Sequence, residues 1–120
     1  MAGFIERDHW KSFLTEFSTR NQLRPTRLEE VGSLGDQEEE TYLPLLGISL
    51  ETKGSRAGSV IVMLGGESAK EQRHADHIVE DVQRITPLVG IKGLEDGLGF
   101  ETSEGKTLLL FAQLPELPAH

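Results

Sequence analysis

The densest group of potential metal ligands in the sequence is His74-Ala75-Asp76-His77. Imidazole and carboxylate groups bind zinc and other transition metals, and they also act as general acids and bases. On a helix, His74 and His77 would share one face, whereas a strand would place them on opposite faces. We therefore take His74, Asp76 and His77 as a candidate metal or acid–base site. The alternative interpretation is that they are ordinary surface or half-buried residues.

A second segment, residues 99–107, nearly matches the phosphate-binding P-loop, in which Gly-Lys-Ser/Thr follows a glycine and four further residues. Gly105, Lys106 and Thr107 match the end of this motif, but Phe100 occupies the position of its first glycine. A P-loop also leads into a helix whose N-terminus faces the phosphate. The apolar run after Thr107 is typical of a strand instead, so we predict a β-hairpin turn, and nucleotide or phosphate binding is the least favoured function.

Three arginines, Arg20, Arg24 and Arg27, lie in a stretch with no acidic residue between positions 17 and 28. Guanidinium groups bind carboxylates and phosphates through paired hydrogen bonds, so these arginines are candidate binding residues for an anion or an acidic partner. Alternatively, they balance the negative end of a helix or pair with the glutamates at 29–30 and 38–40. We favour this second interpretation.

The composition excludes several classes of function. The chain has 120 residues, 20 acidic against 12 basic residues, a formal charge of −8 and no cysteine. Disulfide scaffolds, thiolate metal sites and cysteine nucleophiles are therefore excluded. Nucleic acids and anionic membranes require a basic surface, so they are not expected partners. No serine lies in a Gly-x-Ser-x-Gly elbow, and no other catalytic signature is present.

The elements that would position these residues begin with an amphipathic helix. Its apolar face consists of Trp10, Phe13, Leu14 and Phe17, at the spacing of one helical face. We expect Asp8 to cap its start and Asn21 to provide a left-handed residue at its end. The helix is too short to be stable alone, so its aromatic face must pack on another element.

The other apolar segments predict strands. They are residues 26–31, 41–51, 59–64 and 107–112, with a further strand ending near Thr102 to complete the hairpin. Pro44 cannot donate a backbone hydrogen bond, so we expect a bulge, a sheet edge or a break there. Residues 68–87 remain ambiguous, because their apolar residues follow a helical spacing.

Two motifs carry a resemblance to a known family. Trp10-x-x-Phe13-Leu14-x-x-Phe17-Ser18 and Leu43-Pro44-Leu45-x-Gly47-Ile48 resemble a family of small bacterial proteins that is known only as a domain of unknown function. The similarity extends over residues 5–111. It implies no activity, cofactor or partner, but it implies that residues 73–79 and 82–92 are two strands rather than one helix.

We therefore predict an α+β fold, with one N-terminal amphipathic helix packed on a curled, mainly antiparallel sheet of about six or seven strands. Residues 1–113 would form a single domain, and residues 114–120 a loosely ordered tail. The favoured function is a non-catalytic binding or regulatory module, and the alternative is an enzyme using the His74-Asp76-His77 cluster. We expect a cytoplasmic protein without a cofactor, a monomer or homodimer that binds an unidentified protein or small molecule.

Overall fold

Among the residues that the structure describes, the regular elements are one α-helix, two short 3-10 turns and eight strands. The computed structural model describes residues 3–32, 37–38, 42–65, 75–90 and 93–112. The helix α1 spans Trp10–Arg20 and follows a 3-10 turn at Arg7–His9. The strands are β1 (Pro25–Gly32), β2 (Gln37–Glu38), β3 (Leu43–Leu50), β4 (Val60–Leu64), β5 (Ala75–Val79), β6 (Val82–Val89), β7 (Glu95–Thr102) and β8 (Gly105–Phe111).

Helix α1 buries the predicted apolar face, but its ends differ from the prediction. Asp8 lies within the 3-10 turn, and the residue at the N-cap is His9, whose side chain makes no capping hydrogen bond. At the other end, Asn21 has a φ of −114°. The left-handed residue comes two positions later, at Leu23, with a φ of 69°. Both capping predictions were therefore wrong, although the helix itself was predicted correctly.

Strand β1 lies in the interior of the sheet, whose order is β5-β4-β3-β1-β8-β7-β6, with β2 paired to β1. All of these pairings are antiparallel. Only two register pairs, Pro25 with Pro44 and Thr26 with Leu43, join β1 to β3. The expected irregularity near Pro44 appears as a register shift between Leu45 and Gly47.

The sheet is strongly curled, because its two outermost strands are consecutive in sequence. In a flat sheet of seven strands, the outermost strands would lie about 29 Å apart at the usual spacing of ~4.8 Å. Only Glu80 and Asp81 separate β5 from β6, and a link of this length spans about 10 Å at most. The linked ends of these two strands must therefore approach each other, so the sheet curls, although it remains open because β5 and β6 do not pair along the described strands.

The core lies inside this curl and is closed by α1. Its buried apolar residues form one cluster and come from the helix and seven of the strands: Trp10, Leu14, Phe17, Leu28, Leu45, Ile48, Val60, Val62, Leu64, Val79, Val82, Ile85, Leu98, Phe100, Leu109 and Phe111. Phe17 stacks on Phe111 of β8 with ring centroids 5.7 Å apart. The helix thus packs on the sheet through its aromatic face, as predicted.

The segments that were ambiguous in sequence are strands. Residues 75–79 and 82–89 form β5 and β6, as the family resemblance implied and against the helical spacing. Strands β7 and β8 form a hairpin around Ser103 and Glu104, as predicted for the P-loop-like segment. The α+β fold with one helix on a curled antiparallel sheet is therefore confirmed.

Two further points concern the predicted C-terminal tail and membrane-spanning helices. The predicted tail, residues 114–120, lies outside the described residues. Within the described part of the chain, no helix has both the length and the apolar character that a membrane span requires.

Candidate functional site

Arg20, at the C-terminal end of α1, forms a bidentate ion pair with Glu95, the first residue of β7. Its Nε and Nη2 atoms donate to the two carboxylate oxygens at 3.1 and 2.8 Å. The side chain of Arg20 is 49% exposed and that of Glu95 is 27% exposed. This pair therefore stands at the protein surface, where it joins the end of the helix to the sheet.

Two neighbouring residues complete the same cluster. The amide nitrogen of buried Asn21 donates to the Phe17 carbonyl at 2.9 Å and to a Glu95 carboxylate oxygen at 3.1 Å. Arg24 donates through Nη1 to the Asn21 side-chain oxygen at 2.9 Å and to the Glu95 carbonyl at 3.0 Å. We refer to Arg20, Asn21, Arg24 and Glu95 as the clamp.

The clamp keeps the Glu95 carboxylate ionised. The hydrogen bonds from Arg20 lower the pKa of Glu95, partial burial opposes this effect, and the hydrogen bond from Asn21 lowers the pKa further. The pKa of Arg20 is raised for the reciprocal reason, chiefly by its hydrogen bonds to Glu95. Because a general acid or base works best with a pKa near the working pH, Glu95 is poorly suited to that role.

The guanidinium of Arg24 lies over the ring of Phe111, 4.1 Å from its centroid. Such a cation–π contact holds the side chain in place while leaving hydrogen-bond donors at the rim of the guanidinium. Arg27 lies further along β1, 3.8 Å from Glu29 and 5.5 Å from the Tyr42 ring centroid. The structure therefore brings Arg20 and Arg24 together in the clamp, whereas Arg27 belongs to a separate contact on β1.

Exposed aliphatic side chains border the clamp. Leu23 and Leu94 are 63% exposed and Val89 is 49% exposed. Leu23 lies between Asn21 and Arg24 in the chain, Leu94 precedes Glu95, and Val89 is the cross-strand partner of Glu95. These three are half of the six large apolar side chains that are exposed among the described residues. We call them the apolar rim.

Strand β5 places the two described members of the histidine cluster on opposite faces. His77 pairs with buried Val62 and alternates with buried Val79, whereas neighbouring Asp76 is exposed. His74 lies outside the described residues. Within the described ranges, no three histidine or acidic side chains are grouped as metal ligands would be.

The P-loop-like segment does not form a phosphate-binding turn in this structure. Gly105, Lys106 and Thr107 all lie in β8. Lys106 is the cross-strand partner of Glu101 in β7, and buried Thr107 is the cross-strand partner of Phe100. A strand rather than a helix follows the glycine, so no helix N-terminus is available at this turn.

The model of the family of unknown function DUF5335 matches residues 2–118. The chain belongs to this family. No curated protein matches the sequence, and no solved structure matches the chain. The expected membership of a family of unknown function is thus confirmed over almost the whole length of the sequence.

For this DUF5335 member, sequence reasoning found two of the four clamp residues, Arg20 and Arg24, and missed Asn21 and Glu95. Glu95 is distant from Arg20 in the chain, and its short acidic segment has no recognisable motif. Leu23 and Leu94 were also missed, because an isolated exposed leucine in a turn has no distinguishing pattern. Only the folded arrangement shows that these residues border one cluster.

Proposed function

We propose that this chain is a non-catalytic protein-binding module whose binding surface consists of the apolar rim and Arg24. The observation that carries the proposal is that Leu23, Val89 and Leu94 are exposed and each lies next to a clamp residue, in the chain or across the strands. Exposed aliphatic side chains beside an arginine are typical of interaction surfaces, in which apolar anchors supply affinity and arginine supplies directed hydrogen bonds.

The backbone at Leu23 gives a second argument. A leucine in the left-handed region costs about 1–2 kcal/mol relative to an ordinary conformation. Its N–H donates to the Leu45 carbonyl at 2.7 Å, which holds the turn in place. A glycine would adopt this conformation without that cost. The position therefore carries an unfavourable backbone conformation together with an exposed apolar side chain, a combination that a contact with a partner would explain.

The charges at this surface favour a partner segment that combines an apolar side chain with a carboxylate. The clamp contains two guanidinium groups and one carboxylate: Arg20 donates to the Glu95 carboxylate, whereas Arg24 donates to the Glu95 backbone carbonyl. Glu95 engages Arg20 through both of its oxygens, whereas Arg24 uses only Nη1 in its hydrogen bonds within the clamp. The remaining N–H groups of Arg24 can donate to a carboxylate of the partner while the partner's apolar side chain contacts the apolar rim.

The clamp residues support binding better than catalysis. The Glu95 carboxylate accepts hydrogen bonds from Arg20 and Asn21, and these contacts hold α1 on the sheet. A carboxylate whose pKa is lowered, and whose oxygens accept hydrogen bonds from Arg20 and Asn21, is a weaker base towards a substrate. Its role is to fix the positions of the neighbouring side chains.

Selection from a random peptide library displayed on phage tests this function. We expect the wild-type chain to enrich peptides that contain both aliphatic and acidic residues. Fluorescence anisotropy with the enriched peptides should then show at least a tenfold higher Kd for the Leu23→Ser/Leu94→Ser variant and for Arg24→Gln.

The matched control is Ile78→Ser, which removes an aliphatic side chain of 43% exposure on β5. This variant should retain the wild-type Kd. The proposal fails if no peptide is enriched, or if the enriched peptides bind Leu23→Ser/Leu94→Ser and Arg24→Gln as tightly as the wild type.

A further inference from the structure

Strands β1, β8, β7 and β6 have an outer face that points away from the core. The register places its residues in three rows across the strands. The rows are Arg27-Leu110-Gly97-Leu88, Glu29-Leu108-Gly99-Thr86 and Val31-Lys106-Glu101-Arg84. We call this surface the outer face. Its first two rows are apolar on β8 and contain only glycine on β7, whereas its third row is mainly charged.

The glycines make the outer face flat. A Cβ built on Gly99 would lie 3.6 Å from the Cδ2 atom of Leu108, so the leucine side chain reaches across the neighbouring strand. Gly97 and Gly99 are both buried although neither has a side chain, while Leu108 and Leu110 remain partly exposed. A flat apolar surface on a sheet is the shape that packs against another sheet at a distance of about 10 Å.

The charges of the outer face suit a second copy of the same chain. The chain as a whole has a formal charge of −8, so two copies repel each other over most of their surfaces. The outer face instead carries three basic residues, Arg27, Arg84 and Lys106, and two acidic residues, Glu29 and Glu101. Arg27 lies 3.8 Å from Glu29 and Arg84 lies 3.5 Å from Glu101, so these charges balance within the chain. With three basic and two acidic residues the face has a net charge of +1, so it repels a second copy far less than the rest of the acidic surface does.

We propose that the outer face is the interface of a symmetric homodimer in which β1, β8, β7 and β6 of two copies pack face to face. The axis would pass near the centre of the face, between Leu108 and Gly99. Strand spacing and rise give an area of about 400 Å² per copy. This is half of the ~800 Å² that each partner buries in a standard interface, so the dimer is weak and depends on concentration.

Sedimentation equilibrium over a concentration series from about 10 μM to 1 mM tests the dimer. The average mass should rise from 13.3 kDa towards twice that value. Leu108→Glu, which places a carboxylate at the centre of the face, should keep the mass at the monomer value. Circular dichroism and the urea midpoint of this variant would establish that it is folded.

Ile78→Glu is the matched control, because it makes the same kind of change on the outermost strand β5. It should dimerise like the wild type. A wild-type chain that stays monomeric at 1 mM overturns the proposal. So does loss of the dimer in Ile78→Glu but not in Leu108→Glu, since that result would place the contact on β5. Dimerisation that appears only after removal of residues 113–120 would show that the chain covers this face itself, and it also overturns the proposal.

A crosslinking measurement is independent of the folding of the charged variant. Because the chain contains no cysteine, Leu108→Cys has a single thiol. A short bismaleimide should join two copies of Leu108→Cys into a covalent dimer, in a yield that increases with concentration. Ile78→Cys should give little dimer under the same conditions. Equal yields from the two variants would contradict the proposed interface.

Discussion

The guanidinium of Arg20 and the carboxylate of Glu95 form a two-point contact between the last turn of α1 and the start of β7. Asn21 and Arg24 hold the same glutamate from the adjoining turn. A helix of only 11 residues is thereby attached to the sheet at its C-terminal end as well as through its aromatic face. The orientation of the proposed binding surface depends on this attachment.

Replacement of Glu95 by glutamine should lower the free energy of unfolding by about 0.5–1.5 kcal/mol. The partial exposure of both side chains keeps the effect small, and the loss of an ionised partner for buried Asn21 adds to it. Urea unfolding at neutral pH measures the change. Glu101→Gln is the control, because its pair with Arg84 is longer, 3.5 Å, and both side chains are more exposed. A change in Glu101→Gln equal to that in Glu95→Gln would show that the clamp has no special role.

The contribution of Glu95 to the free energy of unfolding should disappear at acidic pH. The clamp lowers the pKa of this carboxyl group in the folded chain, so its stabilising effect is fully present above the ordinary glutamate pKa of about 4.3. It is lost as the pH falls through the lower pKa of the folded state. The stability difference between wild type and Glu95→Gln should therefore be constant from pH 7 to about pH 5 and shrink below that.

Urea unfolding of both proteins across this range tests the pH dependence. A difference that persists unchanged at about pH 2–3 would mean that the ionised carboxylate is not its source. The raised pKa of Arg20 contributes nothing in this window, because Arg20 is protonated in both folded and unfolded states.

Leu23→Gly should separate stability from binding. Glycine removes the cost of the left-handed conformation, part of which is offset by the greater freedom of the unfolded chain, so we expect a gain of about 0.5–1 kcal/mol. The same change removes an anchor of the apolar rim, so peptide binding should weaken. Thermal unfolding and fluorescence anisotropy measure the two effects.

Asp81→Gly provides the comparison for Leu23, because Asp81 also has a positive φ, 54°, but lies between β5 and β6. Aspartate tolerates this conformation better than leucine, so the gain in stability should be smaller. Binding should be unchanged. If Leu23→Gly binds as well as the wild type, Leu23 is not part of the binding surface.

Two glycines on the same strand should respond very differently to alanine. A Cβ at Gly97 would collide with the carbonyl oxygen of Leu109, whereas a Cβ at Gly99 meets only ordinary contacts. Gly97→Ala should lower the free energy of unfolding by more than about 3 kcal/mol or prevent folding. The reason is that the backbone of β8, and not merely the end of a flexible side chain, would have to move. Gly99→Ala should have a free energy of unfolding within about 1 kcal/mol of the wild-type value. Urea unfolding tests this, and equal losses would contradict the register of β7 with β8.

Elements with a strong local pattern could be predicted from the sequence. The aromatic spacing of α1, the β-branched residues of β4 and the turn after Thr102 each define their own structure. Residues 75–89 show the limit of this approach. Their apolar positions fit a helix, but pairing with β4 and β7 makes two strands, and only the family resemblance indicated this outcome.

The candidate site was less predictable because it depends on contacts between distant parts of the chain. Arg20 and Arg24 stood out as a basic group, yet the partners predicted for them were the glutamates at 29–30 and 38–40. Arg27 does contact Glu29, but Arg20 pairs with Glu95, which the fold brings to the end of the helix. No local spacing rule could have identified that partner.

The position of β1 has a consequence for synthesis on the ribosome. Strand β1 is one of the first elements to be translated, but its longest ladder pairs it with β8, from Thr26 with Phe111 to Gly32 with Gly105. That ladder cannot form until residues 105–111 have emerged from the ribosome. Pairings between such distant segments also form slowly, because the intervening loop must first be ordered. One side of β1 therefore stays without its sheet partner while the intervening elements are synthesised, and the sheet can be completed only after β8 has emerged.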